Sequence, residues 1–335
     1  MSIPAFHQLC RRVFLMGAHF PERSEEQSTV TPPEGLGRVI DAFRARRSVA
    51  EVSASKYGNL YRSAYWAIYL LSSFAVGLAL LTMALPSFGG WFVALETLTI
   101  FVILTVFTLG SKQRWHAQWL AFRREAEVLR YLPIVHIVHQ LSLESIQRQG
   151  SDPQSTQPVL VESPYEVPID ISAEEKEHLA TLDQLITSNG VLNQELRQWV
   201  RLILQGQIRY HERRAFEEHL IHERVHKLAF FCFVVTAFAV IAHAGFHTIW
   251  LSVVAAFFPS LAAALTGVAA HAEMVRLRLE SESVVKDLAE IERRLADPTS
   301  SNEMVKDCLK AFVGRVLGEV IVWHTFAKHK ALTLA

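Results

Sequence analysis

The sequence predicts an all-α integral membrane protein, with four transmembrane helices paired as two hairpins and extended by long cytoplasmic helices. Three observations carry that prediction. Between Lys227 and Glu273 there is no Asp, Glu, Lys or Arg. A bilayer core is about 30 Å thick and a spanning helix needs roughly 20 apolar residues, so this run holds two spans and a turn. From Ser63 to Ser111 the only formally charged residue is Glu96, which allows a second pair. Finally, half of the 335 residues are hydrophobic and the mean hydropathy is +0.20. That value suits four spans plus a comparable mass of polar protein outside the bilayer.

Taken in order, residues 1–38 read as a short helix and a linker. Phe6, Leu9, Val13 and Met16 fall on one helical face, as in a docking or membrane-surface helix. The apolar run after Arg11 and Arg12 is too short for an export signal. Pro21 to Gly37 has linker composition. Residues 39–144 form the first hairpin unit, with spans at about 64–85 and 91–109 and a turn at Pro86, Gly89 and Gly90. The helix after the second span is expected to continue from Lys112 through Arg130 and to be disturbed at Pro133.

Residues 145–172, with Pro153, Pro158, Pro164 and Pro168, read as a second linker. Residues 173–296 form the second unit. A long helix leads into spans at about 228–244 and 250–270, with the turn near His243–His247. A charged helix follows, its apolar residues Leu277, Val284, Leu288, Ile291 and Leu295 at near-heptad spacing. Residues 297–335 hold a last amphipathic helix. Basic residues flank both hairpins at the ends away from their turns (Lys56, Arg62, Lys112, Arg114, Arg123 and Arg124; Arg213, Arg214, Arg224, Lys227, Arg276 and Arg278). The positive-inside rule therefore puts these flanks and both termini on the cytoplasmic side. The two halves share one plan of charged helix, apolar hairpin and charged helix.

Charge is balanced, with 33 basic and 33 acidic residues, so net charge predicts no nucleic-acid partner. Cys10, Cys232 and Cys308 are scattered without a CxxC spacing, so no disulfide framework follows. No P-loop, nucleophile elbow or Rossmann glycine pattern occurs. No enzyme activity, catalytic residue, cofactor or metal is expected.

Several segments resemble a known family. LYRSAYWAIYLLS (Leu60–Ser72), GSKQRWHAQWLAFRREAEVLRYL (Gly110–Leu132) and LILQGQIRYHERRAFEEHLIHERVHKL (Leu202–Leu228) resemble bacterial membrane proteins of the SLATT superfamily. So do Phe258–Leu277 and Leu317–Ala335. The likeness covers most of the chain from Leu60 onward. Its distinctive parts are W-H-x-x-W after the second span and G-Q-I-x-Y-H before the third, so Arg62, Trp115, His116, Trp119 and Tyr210 are family-like juxtamembrane residues. The resemblance implies a two-helix membrane effector of antiphage or inter-genomic conflict systems, one that oligomerises and breaches the membrane after a nucleotide or related signal. Relatives often carry a SLOG-type sensor ahead of the membrane part, but the residues before Tyr57 lack its Gly-rich βαβ pattern. Sensing is then expected in trans, by a nucleotide-signal sensor or nucleotidyltransferase partner, or within the helical cytoplasmic part. Membrane lipids and further copies of the chain are the other expected partners. A non-conducting scaffold and a constitutive ion channel are the alternatives.

Three groups of side chains stand out. Glu96, an acid inside a span, and His243, at similar depth in the third span, are expected to line a pore mouth or to pair between helices, unless Glu96 snorkels to the interface. In the fourth span Pro259 suggests a bend, and Ser260, Ala263 and Gly267 a close-packing face. His211, His219, His222 and His226 share one face before the third span, either as a pH-sensitive surface or as part of a solvated mixed-charge helix. His222 and His226 also match H-E-x-x-H, with Arg224 inside the motif and no third ligand in view. It reads as a juxtamembrane helix rather than a zinc site.

Overall fold

The computed structural model describes residues 6–18, 20, 34–149, 172–187, 194–297 and 302–327. Among these the regular structure is helical, with no strand. The helices are α1 (Phe6–Leu15), α2 (Glu34–Ala84), α3 (Gly89–Lys112), α4 (Trp115–Gln149), α5 (Ala173–Thr187), α6 (Gln194–Phe246), α7 (Ile249–His271), α8 (Met274–Ala296) and α9 (Asn302–Ala327). Four stretches, in α2, α3, α6 and α7, are long and apolar enough to cross a membrane. The chain is an all-α, multi-pass membrane protein built on two helical hairpins.

Each hairpin begins with a rod. α2 has 51 residues and α6 has 53. At about 1.5 Å per residue, each passes without interruption from the polar bundle through a span. The first rod stops where Pro86 opens a short 3₁₀ turn, Pro86–Phe88. The second stops at His247, in a left-handed conformation (φ 44°). We call the turn end of the spans the tip and the other end the base. Within the spans, several threonine hydroxyls are satisfied locally, while Ser73 Oγ is buried with no hydrogen-bond partner among the described residues. Thr97, Thr99, Thr105, Thr236 and Thr266 each donate to the carbonyl four residues back. That suits helices with no water to bond.

The base differs from expectation. The helix after α3 does not run on from Lys112 to Arg130. It breaks at Gln113–Arg114, with Arg114 left-handed (φ 49°), and α4 then continues unbroken past Pro133 to Gln149. The second half breaks in the same way at Ala272–Glu273, with Glu273 at φ 52°. The hydrogen bonds match: Gln113 to Leu109, Arg114 to Ser111 and Gln118 to Arg114 in the first, Ala272 to Val268, Glu273 to Ala270 and Leu277 to Glu273 in the second. Each half is thus rod, tip, returning span, left-handed break and amphipathic helix.

The expected single helix from Ala173 to Lys227 is two elements, α5 and α6, with 188–193 outside the described residues. α5 opens on a reciprocal cap between Ser172 and Glu175. The first linker's end, Glu34–Gly37, belongs to α2, and α4 extends into the start of the second. Their remainders, 21–33 and 150–171, lie outside the described residues, as do 328–335.

Away from the membrane, six helices enclose an apolar core that includes Phe43, Leu129, Leu182, Leu204, Leu288 and Phe312. The near-heptad face of α8 (Val284, Leu288, Ile291 and Leu295) is buried in it. A second core at the base gathers Tyr61, Tyr65, Trp66, Trp119, Ile221, Leu265 and Met274. The halves meet chiefly where α2 packs on α7 in the spans, while α1 bridges α2 and α6, and α9 bridges α4 and α8.

Candidate functional site, an arginine-lined chamber at the base of the spans

Between the two cores the halves separate, leaving a chamber with lobes of about 440 and 740 Å³. Small-molecule sites have similar volumes, about 300–1,000 Å³. Arg62, Trp119, Arg123 and Tyr210 line both lobes.

The wall is built from the sequence upward. Gly58 on α2 has no side chain, and this seats Trp119 of α4. A Cβ on Gly58 would lie 2.8 Å from the indole nitrogen. One turn later Arg62 donates from Nε to the Gly58 carbonyl at 3.0 Å, and its guanidinium lies 5.4 Å from the Trp119 ring centre. Tyr61 stacks on Trp119 and meets the tilted His116 ring with centres 4.4 Å apart, and its hydroxyl is 2.9 Å from His271 Nε2 at the end of α7. On α6, helical spacing sets Tyr210, Arg214, Glu217 and Glu218 along the opposite wall.

α1 closes one side. Arg11 donates to Glu218 at 2.8 Å and to Glu217 at 3.3 Å, His7 Nδ1 is 3.3 Å from Ser63 Oγ, and Arg224 donates to the carbonyls of Phe14 and Met16. The inward face of α1 is mixed: His7 and Arg11 make these polar contacts while Cys10, Phe14 and Leu15 pack on the second core, and Phe6, Leu9, Val13 and Met16 are all more than 40% exposed. A helix at the level of the span ends with such apolar residues outward is placed as an interfacial helix is.

The larger lobe is lined by seven arginines and three glutamates, and four titrating groups of the two lobes feel burial and nearby arginines together. Burial, then Arg62 and Arg11, bring His7 down to about 3. Burial, then Arg214, Arg123 and Arg315, bring His211 down to about 4. Burial, joined by Arg123, Arg11 and Arg214 against an opposing Tyr65, lowers Arg62 itself. Burial would raise Tyr210, but Arg214 and Arg123 outweigh it and the phenol falls below its ordinary value. Arg11 is the exception: burial opposes its charge, yet Glu218 and Glu217 raise it. Arg62 and Arg214 have no carboxylate partner among the described residues. The chamber is therefore a positive, aromatic-walled space suited to an anion.

Of the family-like residues, Arg62, His116, Trp119 and Tyr210 converge on the chamber. Trp115 does not line it, and its indole donates to Gln113. The histidine face divides. His211 is buried, 3.5 Å from Ser281 Oγ, and Arg278 donates to His219 Nδ1 at 2.7 Å. The rings of His222 and His226 lie parallel, 6.3 Å apart, and burial, then His226, Arg278 and His219, lower His222. Glu223, at the centre of H-E-x-x-H, pairs with Lys227 at 2.7 Å. Among the described residues no group of three or more His, Cys, Asp and Glu is arranged to hold a metal ion.

In the spans, Glu96 and His243 are not brought together. Glu96, half-buried on α3, makes no hydrogen bond or ion pair among the described residues, and His243 Nε2 faces Ser252 Oγ at 3.5 Å. α7 runs without a break through Pro259. Gly267 is the closest approach, since any Cβ there would overlap the Tyr69 ring of α2, and a Cβ on Gly77 would meet Phe257 at 2.9 Å. Ser260 is partly buried. Ala263 faces outward, and its neighbours Ala262 and Ala264 are the buried ones.

Arg11, Tyr61, Arg123, Arg214, Glu218 and His271 are chamber residues that inspection of motifs passes over. Their sequence signal is weak, because arginines beside spans are ordinary topology markers. Comparison of the chain with protein-family models, curated proteins and solved structures found no match.

Proposed function

We propose that this protein is an oligomeric membrane effector of the bacterial inner membrane. In this reading both termini are cytoplasmic, and the protein alters permeability in an antiphage or conflict system when a cytoplasmic signal arrives. One observation supports this most. The residues carrying the family resemblance, Arg62, His116, Trp119 and Tyr210, line one chamber, and α2 and α6 run unbroken from that chamber into the spans. A cue received at the base would act on rods that are also the spans. Four spans with one intramembrane acid are too few to enclose a wide pore, so conduction requires several copies. Most of α3 is open for lipid or another copy, with 11% of its apolar window buried. A sensor or nucleotidyltransferase in trans would supply the signal.

The test is membrane potential in cells expressing the wild type, with and without phage infection. Depolarisation that requires infection supports the reading. Depolarisation without infection points to a constitutive channel. An unchanged potential in both conditions favours a non-conducting scaffold, whose recruiting surface would be the six-helix bundle beyond the membrane.

A further inference from the structure

The chamber has features that a bundle would not retain for stability alone. Taking a charged group out of water costs several kcal/mol unless it is paired, and arginines at such sites normally face carboxylates. Arg11 follows that rule with Glu217 and Glu218. Arg62 and Arg214 do not. Arg62 is held by one backbone carbonyl and the face of Trp119, and Arg214 makes no ion pair among the described residues. Both line the larger lobe together with Arg123. Several converging guanidiniums oppose a single monovalent carboxylate less well than a multiply charged group with oxygens in several directions. Guanidinium forks bind phosphate in that way.

We propose that the chamber binds a phosphate-bearing anion, with Arg62 and Arg214 as its principal charged contacts and Tyr210 and Trp119 as its walls. Two sources have this chemistry, a soluble phosphate ester and the headgroup of an anionic lipid. The chamber lies where both can reach it: α1 presents exposed apolar residues outward beside it, and the opposite lobe extends toward Gln207 and Val316 in the polar bundle. The inference concerns binding alone and stands whether or not the protein conducts.

The full chain, purified in detergent, would be titrated with inorganic pyrophosphate by calorimetry. Retention of phosphatidylglycerol against phosphatidylcholine would be compared by native mass spectrometry. Binding of pyrophosphate identifies a soluble source, and selective retention of phosphatidylglycerol identifies the lipid. Either supports the proposal if R62Q/R214Q weakens it by about ten- to a hundredfold, as expected for lost charge-assisted contacts. Glu217→Gln guards against misfolding as an explanation. It removes a negative charge from the wall while Arg11 keeps its shorter contact, 2.8 Å, to Glu218, and it should tighten binding about threefold. Failure of both probes to bind, equal binding by R62Q/R214Q, or unchanged or weaker binding by E217Q overturns the proposal.

Discussion

The two halves of the molecule are one design used twice with different outcomes. In each, a rod of more than fifty residues crosses to the tip, a second span returns, and a left-handed residue turns the chain into an amphipathic helix. The difference lies in the returning span. α7 is drawn into the centre because Gly267 and Gly77 remove the atoms that would separate it from α2. α3 has no such contact beyond α2 and stays at the outside, with Trp91, Leu98 and Phe101 exposed. The base differs in charge. To the larger lobe the first half supplies Arg62 and Arg123 without a carboxylate, whereas the second supplies Arg213, Arg214 and Arg276 alongside Glu217, Glu218 and Glu273. Within one backbone plan, a few glycines decide which span is central, and the placement of arginines and glutamates decides what the gap between halves can hold.

The largest effect is expected where the halves touch. Gly267→Leu drives a side chain into Tyr69 and should lower stability by about 3 kcal/mol, the upper part of the overpacking range. Ala263→Leu, one turn away on the outward face, should leave the melting temperature in detergent near wild type. Equal losses would mean that α7 is not held against α2. Next comes the link that α1 makes between the halves. Arg11→Ala strands Glu218, 6% exposed, and should cost about 2 kcal/mol. The change should be read as lost hydrogen-exchange protection over residues 6–15, with the spans unaffected.

Acid distinguishes the halves more gently. His211 lies between α6 and α8, with an ordinary value of 6.5 and a folded value of about 4. The unfolded chain takes up the proton first, so the stability His211 contributes is fully present above pH 6.5 and lost as pH falls toward about 4. Arg214, Arg123 and Arg315 oppose its protonation, and Ser281 is its hydrogen-bonding neighbour. His211→Gln should remove that part of the acid sensitivity in a melting series from pH 7 to 4. The smallest effect is expected at Glu96, which has no ion pair among the described residues. Glu96→Gln should change stability by less than about 0.5 kcal/mol. A larger loss would reveal a contact made only in an oligomer.

How much of this was legible follows from what leaves a trace in sequence. Charge-free runs are unambiguous, so the four spans and both tip turns could be read directly. The break at Gln113–Arg114 could not, because neither residue is a usual helix breaker. Pro133 misled because α4 accommodates it within the helix. The amphipathic face of α1 was evident, but which side met the protein was not, since that depends on Glu217 and Glu218 two hundred residues later. The chamber was illegible for the same reason. Arg62, Arg123 and Arg214 read as separate membrane-flanking charges until the fold brings α2, α4 and α6 around one space. Only W-H-x-x-W and G-Q-I-x-Y-H hinted at it, as two motifs with no stated connection.

In this fold the two halves meet through α2 and α7 while α3 stays apart. The most direct measurement is thiol cross-linking in membranes with a short bifunctional reagent, using a chain freed of Cys10, Cys232 and Cys308. Tyr69→Cys paired with Gly267→Cys should join within one chain, and Glu96→Cys paired with His243→Cys should not. A Glu96–His243 cross-link within the chain, or a Tyr69–Gly267 link found only between chains, would contradict the arrangement.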